Sequence, residues 1–146
     1  MTKTASPNLS PRALALIRAA RVAHLATANA TGMPHVVPIC FVFDGKNFYS
    51  PIDEKPKRTA PAKLKRLRNI GENPRVSLII DRYDENWSKL AYVLLIGRAR
   101  LLLSGTRHRK AVARLRRKYL QYRSMKIDRL PIIAITPRKS TVWSAR

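Results

Sequence analysis

Cysteine is almost missing from this chain: Cys40 is the only one in 146 residues. A single thiol excludes an intrachain disulfide framework, and the scattered His24, His35 and His108 form no pair with metal-ligand spacing. Cys40 sits inside an apolar run and reads as a buried structural thiol. Acids are scarce as well, eight in all. Most fall at turns (Asp44, Asp53, Glu54, Glu72, Asp84 and Glu85), which argues against paired carboxylates for glycoside-type chemistry. There is no Walker-type loop, no G-x-G-x-x-G, and no recognisable nucleophile–base pattern. No stretch approaches the roughly 18 uninterrupted apolar residues of a membrane span. Arg12 and Arg18 interrupt the N-terminal Ala/Leu stretch that a secretion signal would need. The expectation is a soluble, cytoplasmic protein with no membrane partner, in which any enzymatic reaction is carried by a cofactor.

What the chain has in excess is positive charge: 30 Lys plus Arg and a formal net charge of +22. Such a field attracts anions, whether nucleic acid, anionic lipid or a phosphorylated or polycarboxylated ligand, and says nothing about fold. Hydrophobic residues make up 45% of the chain, enough to exclude disorder and to bury one core. One domain over 1–146 is expected, with 1–9 as a mobile lead-in.

Ser10-Pro11 is an N-cap followed by proline at the first helical position, and Leu14 and Ile17 continue at helical spacing to about Ala20. RVAHLATAN then reads as a strand, Ala30-Thr31-Gly32 as a turn, and PHVVPICFVFD as a second strand. Asp44-Gly45 makes a tight turn into KNFYSP. The second strand is apolar on both faces, which implies cover on both, the outer one by a partner subunit or a ligand. Pro38 cannot donate a ladder hydrogen bond, so an edge or bulge is expected there, freeing backbone groups for a ligand. A helix is expected from about Pro61 with Leu64, Leu67 and Ile70 on one face. RVSLIIDRY and AYVLLIGRARLLL follow as strands, with Gly97 marking a bulge or a close backbone approach. Gly105-Thr106 opens a third helix whose apolar stripe is Val112, Leu115, Tyr119 and Tyr122. IIAITPRKSTVW is the last strand or a bent pair. Six strands with peripheral helices predict a mainly β fold, an antiparallel barrel.

Two segments can bind anions. In the turn after the third strand, Lys55, Lys57, Arg58 and Thr59 precede a helix start, where unpaired N–H groups and the helix dipole favour a phosphate. The alternative is that a very basic protein simply has basic turns. In the third helix, Arg107, Arg109, Lys110, Arg114, Arg116, Arg117 and Lys118 could track a nucleic-acid backbone, or could merely form a solvated face. No helix-turn-helix, zinc or aromatic-platform motif accompanies them. Trp87 and Trp143 read as core or dimer-interface residues.

Over roughly residues 21–103, the segments RVAHLAT, GMPHVVPICFVFDGKNFYSPIDEKPKRT, LKRLRNIGENPRVSLIIDRYDENW and LLIGRARLL resemble the split-barrel flavin-binding superfamily of pyridoxamine 5′-phosphate oxidase. The closest similarity is to its small deazaflavin-dependent branch. The resemblance implies a six-stranded split barrel of the FMN-binding type and a homodimer with cofactors in clefts between the subunits. It implies hydride transfer between FMN or a deazaflavin coenzyme and a small substrate. By resemblance, Val36, Pro38, Ile39 and Cys40 run along the flavin ring, and Tyr49 and Ser50 reach the phosphate side. Lys57 and Arg58 match the phosphate-binding pair, with Thr59 as a further donor and Lys55 as a substitute for either. Tyr92 stands where the oxidases place a glutamine, and Trp143 is similar to a tryptophan that the partner subunit contributes. The chain lacks the Arg/His tail that grips the substrate phosphate in true pyridoxamine-phosphate oxidases, so a different substrate is expected. The catalytic residues are not identified and no metal is implied. The other readings are a basic nucleic-acid-binding module and a non-catalytic flavin or deazaflavin carrier.

Overall fold

The computed structural model describes residues 6–53 and 64–145. Helix α1 (Pro11–Ala19) starts where Ser10 Oγ accepts a hydrogen bond from the Ala13 N–H, with proline in its first turn. Its Ala13 and Ile17, one turn apart, are fully buried. Strands β1 (Ala23–Ala28), β2 (Pro34–Ile39), β3 (Val42–Phe43) and β4 (Phe48–Pro51) follow. Next come α2 (Lys65–Glu72), β5 (Arg75–Arg82), β6 (Ala91–Leu102), α3 (Thr106–Lys118) and β7 (Ile132–Ser144).

The strands form one antiparallel sheet in the order β2-β1-β5-β6-β7-β4-β3. Its two edge strands are consecutive in the chain, with only Cys40 and Phe41 between them. Three Cα–Cα steps span at most about 11 Å, so the sheet must curl until its edges meet. That is the split barrel expected from the sequence. Inside the curl, Leu25, Leu78, Ile80, Val93, Leu95, Ile133 and Ile135 pack around the buried face of α1. A second cluster lies on the outer face, where Val112, Leu115, Tyr119 and Tyr122 cover Val42, Tyr49, Ile132 and Ala134. The first half of β7 is therefore buried on both faces, which accounts for its run IIAI.

Among the described residues seven strands are present rather than six. The run PHVVPICFVF breaks at Cys40–Phe41, not at Pro38, which stays in register opposite His24. The break is held by other partners. The Tyr119 hydroxyl lies 3.1 Å from both the Phe41 N–H and the Phe41 carbonyl, and donates to the Arg21 carbonyl at 2.8 Å. Lys118 Nζ donates to the Phe41 carbonyl at 2.9 Å. These bonds satisfy the backbone that leaves the ladder. α3 ends at Lys118, so Tyr119 and Tyr122 lie beyond it, in its cap and in a 3-10 turn (Leu120–Arg123). His108 and Ala111 complete its buried face. Gly97 marks the bulge between β6 and β7. A Cβ there would stand 2.1 Å from the Thr136 carbonyl oxygen.

Candidate functional site

β2 presents Val36 and Pro38 outward, with Val36 63% exposed, while Ile39 is buried in the barrel core. Of the β2 residues assigned to a ring, Val36 and Pro38 offer side chains and Ile39 offers only backbone. Cys40 is half-buried rather than buried, and packs against the second cluster beside Tyr119 and Tyr122. Register extends the outer surface across the sheet. Pro38 stands opposite His24, His24 opposite Ile79, Ile79 opposite Leu94, and Leu94 opposite Thr141. The neighbouring row runs Val36, Ala26, Ser77, Ile96. No helix covers these rows among the described residues.

Tyr49 and Ser50 are both buried, on opposite sides of β4. The Tyr49 hydroxyl donates to Asp44 Oδ2 at 3.2 Å and accepts from Arg107 Nη2 at 3.2 Å, with the guanidinium 5.8 Å from the ring centroid. Tyr49 is thus committed to the hairpin turn and to α3. Partial burial would raise the Asp44 carboxyl, but the Asn47 and Lys46 N–H groups and the Tyr49 hydroxyl outweigh it and hold the pKa below its ordinary value. Ser50 Oγ is buried with no hydrogen-bond partner. Among the described residues three other atoms share that condition: Asn47 Oδ1 before β4, and Arg66 Nε and Asn69 Oδ1, both on α2. Asn69 spends its Nδ2 on Thr27 Oγ1 at 3.0 Å. Burial lowers Arg66, against the pull of Asp53 and Tyr122. Leu64, at the N-cap of α2, gives no side-chain acceptor to the first turn. Lys55, Lys57, Arg58 and Thr59 lie outside the described residues.

Tyr92 and Trp143 are directly opposed on β6 and β7, with stacked rings 5.8 Å apart. Trp143 is 44% exposed and Trp87 68%, so neither tryptophan is in the core. A cavity of about 670 Å³ opens near Trp143, between α1 and the ends of β5 to β7, lined by Ala15, Leu16, Ala19 and Val142. It lies on the α1 side of the sheet, away from β2 and β4.

The sequence-predicted residues on the outer face therefore fall into two groups, the β2 edge and the Tyr92–Trp143 pair, while Tyr49 and Ser50 stand on β4, next to β7. Between β2 and β7 lie four interstrand steps, roughly 19 Å along the sheet. Sequence reasoning missed the Lys118–Tyr119 clasp on Phe41. No periodicity links residue 118 to residue 41, and only the fold brings them together. There Lys118 Nζ lies 3.8 Å from the Phe41 ring centroid, and burial followed by Arg21 lowers its pKa to about 8. Among the described residues no cluster of His, Cys, Asp or Glu could hold a metal. Among the described residues no helix is long and apolar enough to cross a membrane.

Solved structures of similar fold carry varied descriptions. A conserved hypothetical protein of Mycobacterium tuberculosis has a TM-score of 0.75 at 19% identity, covering 100% of this chain and 91% of its own. The heme storage protein HutZ of Vibrio cholerae has a TM-score of 0.73 at 14% identity, with 94% and 95% coverage. A putative pyridoxamine 5′-phosphate oxidase of Listeria innocua has a TM-score of 0.67 at 20% identity, with 90% and 94% coverage. No curated protein matches the chain. The pyridoxamine 5′-phosphate oxidase family model matches residues 9–144, and since that is nearly the whole sequence, the chain belongs to this family.

Proposed function

We propose that the protein is a dimeric oxidoreductase that binds a flavin-type cofactor, FMN or a deazaflavin, between two copies of the chain, and acts on a small substrate other than pyridoxamine phosphate. The observation that carries this reading is the separation of the two site groups. Four interstrand steps, roughly 19 Å along the sheet, separate β2 from β7, more than a three-ring system spans, which supports a cofactor held between two chains. The uncovered outer face between them, Val36, Pro38, Ile79, Leu94 and Ile96, is apolar and suits a second copy.

The residues present fit such a group. Val36 and Pro38 form a flat apolar support for the ring, and Pro38 leaves the ladder one donor short. Ser50 Oγ and Arg66 Nε, buried and unpartnered, supply donors on the phosphate side. On sequence grounds, Lys55, Lys57, Arg58 and Thr59 join them. The stacked Tyr92 and Trp143 of the other chain shield the ring from water. When bound, the cofactor supplies hydride chemistry. The chain's own task is to hold the ring, bind the anion and dry the cleft. The resemblance favours the deazaflavin over FMN, and the strong positive charge suits its carboxylate tail.

Heme storage by a protein of the same fold shows that the fold alone does not select the ligand. Titration of the purified protein with FMN, the deazaflavin and heme decides among them. Saturable micromolar or tighter binding of FMN or the deazaflavin, weakened at least tenfold in Lys57→Ala/Arg58→Ala, is expected. Binding of heme alone, or equal flavin affinity in the double variant, would overturn the reading.

A further inference from the structure

α3 carries seven cations in thirteen residues, and of these Arg116 is held in an ion pair with Asp128 at 3.0 Å. Lys118 points inward to Phe41. Arg107, Lys110, Arg114 and Arg117 are all exposed. At 3.6 residues per turn they fall within an arc of roughly 80°, and at 1.5 Å per residue they span about 15 Å. They form one straight ridge. The helix's apolar side chains are spent on the second core, so this ridge is all that α3 shows to solvent on that side. Beside it runs a groove of about 360 Å³ lined by Val42, Phe43, Arg114, Arg117 and Lys118. None of the four ridge cations is needed for the cofactor reading above.

We propose that this ridge and groove form a docking surface for single-stranded nucleic acid. Like charges held this close repel each other, and a chain with so few acids cannot neutralise them internally. A phosphodiester backbone supplies one negative charge per residue along a line, which matches a linear row of cations. The groove adds what a bare charged face lacks, a recess beside the cations with Val42 and Phe43 on its lining and room for a base. An anionic bilayer is the weaker match. It would engage the cations and the exposed Leu103 and Leu120 flanking α3 but would leave the groove unused.

Fluorescence anisotropy with a labelled twelve-nucleotide single strand, from 50 to 300 mM salt, tests this without any cofactor. Four phosphate contacts predict a log–log salt slope of about −3. In Lys110→Gln/Arg114→Gln/Arg117→Gln the slope should flatten to about −1, with affinity at 100 mM salt reduced at least tenfold. A control that removes three exposed cations elsewhere, Arg18→Gln/Arg75→Gln/Lys89→Gln, should change affinity less than twofold. Circular dichroism checks that each variant is folded. Absence of binding at 100 mM salt, an equal loss in the control, or tighter binding to phosphatidylserine vesicles or to oligoglutamate would each overturn the proposal.

Discussion

On the β7-β4-β3 side of the sheet, the outer face is closed by the chain's own helix. Val42, Tyr49, Ile132 and Ala134 lie under Val112 and Leu115, and none is more than 5% exposed. On the β2-β1-β5-β6 side the same face is bare, with Val36 63% and Ile96 44% exposed, and Trp143 44% exposed at its border. Both halves are apolar and built on the same ladder. The difference is that one thirteen-residue helix covers only part of a seven-stranded sheet. The covered half contributes to the stability of the monomer. The bare half contributes nothing until something else covers it, at about 25 cal/mol per Å² of apolar area removed from water.

Breaking the covered half should cost most. Leu115→Ala removes a fully buried side chain and should lower unfolding free energy by about 2–4 kcal/mol, measured by urea titration. Ile96→Asp on the bare half should leave monomer stability within about 0.5 kcal/mol while shifting sedimentation from dimer to monomer. If Ile96→Asp destabilises as much as Leu115→Ala, the two halves do not differ in the way described.

The next largest effects fall at the seams between the halves. Gly97→Ala forces a Cβ against the Thr136 carbonyl and should cost about 1–3 kcal/mol by overpacking the bulge. Tyr119→Phe leaves the Phe41 N–H without the acceptor that replaces its ladder partner, an expected loss of about 1–3 kcal/mol.

A further effect is in pH. Burial and Arg21 hold Lys118 at about 8 in the folded protein, against 10.5 when free. Between those values the unfolded chain binds more protons, so stability should rise with pH from about 8 towards 10. Burial raises Tyr119 to about 12 from 10.0. Above pH 10 the unfolded tyrosine loses its proton first, and stability should fall again. Lys118→Met should flatten the rise below pH 10 in chemical denaturation at pH 7.5, 8.5 and 9.5.

Local chemistry was legible in the sequence. Ser10-Pro11 gave α1, Asp44-Gly45 the hairpin, and Gly97 the bulge. The break at Cys40–Phe41 was not legible, because it depends on Tyr119, 78 residues away. The fate of Tyr49 was hidden for the same reason, since Arg107 and Asp44 claim its hydroxyl only once α3 docks. The division of candidate residues into two distant groups needed strand order, which no local pattern encodes. Val36 and Trp143 look equivalent in the sequence as apolar residues in strands. The sheet places them four strands apart.

If one site draws on two chains, two proteins that are each defective in a different part of it should complement each other when mixed. Lys57→Ala/Arg58→Ala carries the damage in one part and Trp143→Ala in the other, so neither homodimer should bind the cofactor tightly. After subunit exchange, each mixed dimer holds one site with both parts intact. Tight binding should return at about one quarter of all sites in an equal mixture. No recovery after demonstrated exchange would contradict the claim.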